Sequence, residues 1–348
     1  MPSFTTDCVT SPPDTNLSIF DTSFDLPSVD RVHAAGLEYS HLRLIVPQVI
    51  CALAAFGFQP DAPMLRRLYE QELARQELAY GVTDNRTARA ARDLGLFLRE
   101  WGADAQGARQ ALAKALAIDE KIGSPEALSD AADLADLSPP SDAEPLWKRV
   151  ANGPNNALAA RAYAALGELR EAAGDRAGAA YFYKQAVAKE EGARVAVRLN
   201  ALALVSDPTA AIPLLERALA VDRRTWGEKH PETATTEVNL SGELLAAGRV
   251  AEAVRVGTSA LAGFDATLGD AHPRTAAAAS TLADALRANR DKTGAEKLYR
   301  RALAIDEEAY GPAHPETLTD VKNLAEFLRE TGRTSEAAQL ERRLNAAK

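Results

Sequence analysis

The sequence predicts an all-α protein, a solenoid of about eight stacked helical hairpins, and three observations carry that prediction. Ala, Leu, Arg and Glu dominate while aromatics make up only 6% of residues, and those side chains lose little rotamer freedom in a helix. A G-x-x-H-P-x-T segment recurs every 42 residues, with its histidine at His230, His272 and His314. A small residue followed four later by a bulky one recurs as well: Ala143 with Trp147, Ala179 with Tyr183, Ala295 with Tyr299. Regular self-similarity at such a period marks a repeat array.

Residues 1–37 are rich in Ser, Thr, Asp and Pro, include Pro12-Pro13, and show no helical periodicity. They are predicted to be a disordered leader, or residues ahead of a mis-assigned start. Residues 38–60 hold the apolar run Leu44–Phe56. This run reads either as the first helix of the array or as the h-region of a secretory signal beginning near Leu42. On the first reading the protein is cytoplasmic by default. On the second it is exported.

From residue 61 to 348 the solenoid reading holds throughout. A degenerate loop copy, Gly81-Val82-Thr83-Asp84-Asn85-Arg86-Thr87, lies 230 residues before the last full one. Around it Leu68-Tyr69 matches Leu298-Tyr299, and Phe97-Leu98-Arg99-Glu100 matches Phe327-Leu328-Arg329-Glu330. Within each unit, Gly ends one helix by adopting a left-handed backbone, and Pro opens the next where its missing N–H costs nothing. An apolar stripe follows, as in Val238, Leu240, Leu244 and Leu245, and a short turn leads to a second helix. Leu65, Ala108, Ala143, Ala179, Ala211, Ala253, Ala295 and Ala337 mark the close-approach position of eight second helices. One hairpin cannot cover its own apolar face, so neighbours must stack. Trp147, Tyr183 and Tyr299 are predicted core. Gly257, at the bulky position of the sixth hairpin, predicts a loose joint over 250–262. Glu341 with Arg342-Arg343 predicts a polar capping helix at the C-terminal end.

The spacing of Tyr163, Leu166-Gly167, Gly174, Ala179, Tyr183 and Ala186 resembles the tetratricopeptide (TPR) pattern. The 42-residue units with their G-x-x-H-P-x-T loops resemble the long-loop repeats of kinesin light chains and their bacterial relatives. The resemblance covers roughly residues 46–348 and implies a right-handed superhelix whose first helices line a concave groove that holds a peptide or partner protein. By the family's register, groove-facing asparagine positions hold Asn239 and Asn323, with Thr281 between them. The register also places Arg89, Arg92, Arg99, Arg161, Arg287, Lys322 and Arg329 on the groove. Guanidinium forks suit carboxylates, so these residues imply an acidic or carboxylate-bearing peptide, unless they pair instead with acids such as Asp93, Asp284 and Glu326 on the same surface.

Other chemistries find little footing. No P-loop, nucleophile elbow, Gly-rich dinucleotide turn or H-E-x-x-H occurs, so the chain is read as non-catalytic and without cofactors. The histidines of successive loops are a hairpin apart, while packed helices lie about 8–10 Å from each other and zinc reaches only about 2.1 Å to a nitrogen. They are therefore predicted to cap the following helix rather than to share a metal. Cys8 and Cys51 are too few for a disulfide framework. A net charge of −9 opposes non-specific attraction to nucleic acid or anionic membranes. Two other roles remain open: an exported scaffold or regulatory subunit of a bacterial assembly working through edge or convex surfaces, and a substrate-recruiting array for an enzyme encoded elsewhere.

Overall fold

The computed structural model describes residues 61–102 and 104–346. The expectations for 1–37 and 38–60 lie outside the described residues, as do Cys8 and Cys51. Fifteen α-helices and no strands occur among the described residues. The described residues divide into two compact units that meet at 137/138, one covering 61–137 and the other 138–346. In the first lie α1 (Ala62–Tyr80), α2 (Asn85–Glu100), α3 (Ala105–Ile122) and α4 (Ala127–Asp136). The second holds α5 (Pro140–Ala151), α6 (Asn156–Ala172), α7 (Arg176–Lys189), α8 (Arg194–Leu204) and α9 (Pro208–Trp226). It continues through α10 (Pro231–Ala246), α11 (Val250–Thr267), α12 (Pro273–Ala288), α13 (Lys292–Tyr310), α14 (Pro315–Glu330) and α15 (Thr334–Ala346).

The odd-numbered helices are the second helices of the hairpins, and each carries one of the eight marker residues. All of these markers except Leu65 are buried small residues. Each loop is built as its residues dictate. Gly81, Gly227, Gly269 and Gly311 take φ of +85 to +91°, a conformation that costs glycine little. The loop threonine then closes the turn: Thr87, Thr233, Thr275 and Thr317 donate from Oγ1 to the carbonyls of Gly81, Gly227, Gly269 and Gly311 at 2.7–2.9 Å. Pro231, Pro273 and Pro315 occupy the first turn of their helices, and His230, His272 and His314 are the N-caps. Each histidine accepts at Nδ1 from the backbone N–H two residues on, at 3.0–3.3 Å. In the degenerate copy Asp84 does the same for Arg86 at 2.9 Å.

The core of the second unit is a chain of overlapping clusters rather than one centre. One joins Leu215 of α9, Leu240 and Leu244 of α10, Ala253 of α11 and Ala285 of α12. The next joins Ala234 of α10, Phe264 of α11, Leu282 of α12 and Ile305 of α13. The last joins Ala283, Tyr299, Val321, Phe327 and Ala337 from α12 to α15. Each cluster draws on consecutive hairpins, so removing one hairpin uncovers the next. In the first unit Leu94, Phe97 and Leu98 of α2 pack with Ala108 of α3 and with Tyr69 and Leu73 of α1.

Trp147, Tyr183 and Tyr299 are buried. Tyr183 stands against Gly167 of α6, where an added Cβ would lie 2.5 Å from its ring, so glycine there makes room for the aromatic. Gly257 departs from its expectation. A Cβ on it would come within 2.9 Å of Ser241 Oγ and 3.3 Å of Leu282 Cδ1, so the missing side chain admits close neighbours rather than leaving a void. In α15 the buried residue is Ala337, and Glu341 and Arg343 pair with Arg329 and Glu307, which leaves the terminal helix with a polar exterior.

Candidate functional site: the first-helix face

In the second unit the first helices α8, α10, α12 and α14 lie side by side, joined by polar contacts. Asn239 of α10 donates to Asn200 Oδ1 of α8 at 2.9 Å. Arg274 of α12 reaches Glu232 of α10 at 3.2 Å, and Arg287 of α12 pairs with Glu330 of α14. Asn323 of α14 donates to Ser280 Oγ of α12 at 3.3 Å. Thr281 turns its hydroxyl back to the Ala277 carbonyl at 2.9 Å. Asn239, Thr281 and Asn323 thus occupy one face, each half-buried, with two of them bridging adjacent helices.

The basic residues are mostly spent on acids of the same chain. Arg329 pairs with Glu341, and Lys322 stands 3.9 Å from Glu326. Arg161 lies over the Trp147 ring, 5.5 Å from its centroid. In the first unit Arg99 meets Glu100 at 3.1 Å and Asp133 at 3.5 Å, while Arg89 is exposed, near Asp93. Arg92 requires a correction. Its guanidinium is held between Asp119, at 2.5 Å, and the fully buried Asp130, so it secures α2 to α3 and α4 and is not offered to a ligand.

Arg92 belongs to a pattern that reading single repeats missed. At three of the hairpin junctions the second helix of one hairpin carries a buried Asp near its end: Asp119, Asp222 or Asp306. The next first helix faces it with Asp130, Thr236 or Asp320, also buried. The preceding first helix supplies a third group. Arg92 is that group in the first junction. In the second it is Asn200, which donates to Thr236 at 2.8 Å while Thr236 donates to Asp222 at 2.7 Å. In the third it is Ser280, which hydrogen-bonds Asp320. Burial pushes Asp130 up to about 6 despite the opposing pull of Arg92, and burial with the neighbouring Asp306 charge pushes Asp320 up to about 7. The recurring apolar-Asp pair at these helix ends (Ile118-Asp119, Val221-Asp222, Ile305-Asp306) is the sequence signal for the device.

Among the described residues no group of three His, Cys, Asp or Glu side chains is arranged to hold a metal, and no helix is long and apolar enough to cross a membrane. A shallow cleft of about 550 Å³ lies between Arg176, Ala180 and Val205-Pro208. Arg176 fills its polar side by donating to the carbonyls of Leu204, Val205 and Ser206 at 2.9–3.0 Å.

Stacked hairpins, several of them joined by the same loop, with the first helices of the second unit side by side, define a helical-repeat protein. The tetratricopeptide repeat model matches three overlapping segments, 200–266, 244–308 and 274–344, so residues 200–344 carry tetratricopeptide repeats, and their long-loop units are similar to those of kinesin light chains. Among solved structures, BtubC (BKLC) from P. vanneervenii is 21% identical, covering 64% of this chain and 91% of its own, with a TM-score of 0.50. A Rap protein complexed with Competence and Sporulation Factor is 16% identical over 81% of this chain and 76% of its own, with a TM-score of 0.53. TPR-like repeats of a kinesin light chain type from Podosopora anserina are 25% identical over 54% of this chain and 93% of theirs, with a TM-score of 0.46. A search of curated proteins gives no match.

Proposed function

We propose that the protein is a non-catalytic interaction module that holds a peptide or partner protein along the first-helix face of residues 138–348. The observation that carries this reading is the continuity of that face. Four first helices stand in register, and their amide side chains at Asn239 and Asn323 have acceptor oxygens that can meet a peptide N–H while their Nδ2 groups stay tied to the neighbouring helix. In the same fold, the Rap structure holds Competence and Sporulation Factor. An acidic partner would have to compete with Glu330 for Arg287 and with Glu341 for Arg329, and would find the exposed Lys322 less firmly engaged. Acidity is therefore a secondary preference, and backbone recognition is the main one.

The test is affinity capture from the native cell with the full chain, followed by Asn239→Ala/Asn323→Ala. Loss of at least tenfold in the recovered partner, with an unchanged melting curve, supports the reading; equal recovery removes it. Lys322→Glu/Arg329→Glu then measures the acidic preference. A second reading, recognition through the loop edge, has one observation in its favour. Trp226 and Tyr310 are about half exposed, and each is stacked on its loop histidine with ring centroids 5.0 and 4.4 Å apart. Trp226→Ala/Tyr310→Ala is the corresponding variant, and it leaves recovery intact if the first-helix face is the site.

A further inference from the structure

The three junctions that carry this buried Asp are built alike, but the last of them is incomplete. In the first, the Arg92 cation spans both carboxylates. In the second, the acid facing Asp222 is replaced by Thr236, so a chain of neutral donors satisfies one carboxylate. In the third, Asp306 and Asp320 are 7% and 6% exposed, and the preceding helix supplies neither a cation nor an amide but Ser280. Oδ1 of Asp306 and Oδ2 of Asp320 have no hydrogen-bond partner among the described residues. Two buried acids with unpartnered oxygens are costly when both are charged. A single proton removes one charge and makes one carboxyl a donor.

The other groups acting on the pair do not neutralise it. From α14 itself comes Glu316, and from α12 come Ser280 and Asp284. From the preceding loop comes His314, the only group of this set able to carry positive charge, which acts on Asp306. On α13 the next acid, Glu307, is engaged by Arg343 of α15, and the other α15 acid on this side, Glu341, is engaged by Arg329.

We propose that the Asp306–Asp320 junction is a proton-operated clip. With Asp320 protonated beside Asp306, the last hairpin, α14–α15, is fastened to α12–α13. When that proton passes to bulk water, both acids are charged and the hairpin opens more readily. The direction follows from linkage. A carboxyl whose folded-state pKa is raised contributes its full stability below its unfolded pKa and loses it as pH rises through the folded one. With Asp320 at about 7 and an unfolded value near 3.9, the opening equilibrium of α14–α15 rises about tenfold per pH unit up to about pH 7 and levels off above it.

The experiment is hydrogen exchange of the full chain from pH 5 to 8.5, corrected for the intrinsic rate of amide exchange and read over 315–344. The expected result is a roughly hundredfold loss of protection between pH 5 and 7, set against the same helices in Asp320→Asn and Asp320→Thr, which show no such slope. The threonine copies Thr236 at the repeat-equivalent position, so it tests the proposal even if the asparagine variant fails to fold. Ser280→Arg, which reproduces the Arg92 arrangement, also flattens the profile. His314→Asn keeps a cap but removes the imidazole titration, and the slope persists in it. A pH-independent wild-type profile overturns the proposal, and so does a slope that survives in Asp320→Thr or disappears in His314→Asn.

Discussion

Replacing Tyr299 tests how the hairpins hold one another. The side chain is 1% exposed, its ring centroid is 5.5 Å from that of Phe327 on α14, and its hydroxyl donates to Asp284 on α12. One residue of α13 therefore touches the preceding and the following first helix. Tyr299→Ala removes the ring from a cluster that also contains Ala283, Leu303, Val321, Leu324 and Leu328. Buried aromatic-to-alanine changes cost about 3–5 kcal/mol, and the same range is expected here. Tyr299→Phe keeps the ring and removes only the donor, at a cost of about 1.5–3 kcal/mol for a hydrogen bond to a charged group. Burial already raises the Asp284 pKa, and the Tyr299 hydroxyl opposes that rise. Without the hydroxyl the folded-state pKa rises further, so the Phe variant loses less stability at pH 5 than at pH 8. Guanidinium unfolding followed by circular dichroism measures both variants. A loss below 1 kcal/mol for Tyr299→Ala, or a Phe variant costing as much as the Ala variant, would refute the idea that this ring joins three helices.

Two further changes probe other parts of the array. Arg290 adopts φ of 66°, while the repeat-equivalent Gly248 and Gly332 take 76° and 84°. Arg290→Gly relieves a left-handed non-glycine residue and is expected to stabilise by about 0.5–1 kcal/mol, seen as a rise in melting temperature; a fall would contradict the strain argument. Arg92→Ala leaves Asp119 and Asp130 buried without their cation, which costs about 3–5 kcal/mol at neutral pH. Because Asp130 then holds its proton to still higher pH, the deficit shrinks on acidification, and a deficit that grows toward pH 5 would be the contrary result.

Sequence made the loops and the second helices readable because their residues answer to local backbone demands. Gly227, Pro231 and Thr233 each satisfy a requirement of their own turn, and Ala295 and Tyr299 each satisfy one of their own hairpin. The junction acids were not readable in this way. Asp119 and Asp130, or Asp306 and Asp320, are brought together only by stacking one hairpin on the next, and within a single repeat each resembles a solvated helix acid. The same reasoning explains Arg92, which sits at a groove-facing register position yet finds two buried carboxylates, 27 and 38 residues onward. Gly257 was misread for a related reason. The space its side chain vacates is taken by Ser241 and Leu282 from two other helices, and neither is adjacent in sequence.

Hydrogen exchange of the complex with a captured partner tests the central claim most directly. The account predicts new protection confined to α10, α12 and α14, centred on Asn239, Thr281 and Asn323, with α11 and α13 unchanged. Protection concentrated on α11 and α13, or on the loops around Trp226 and Tyr310 alone, would contradict it.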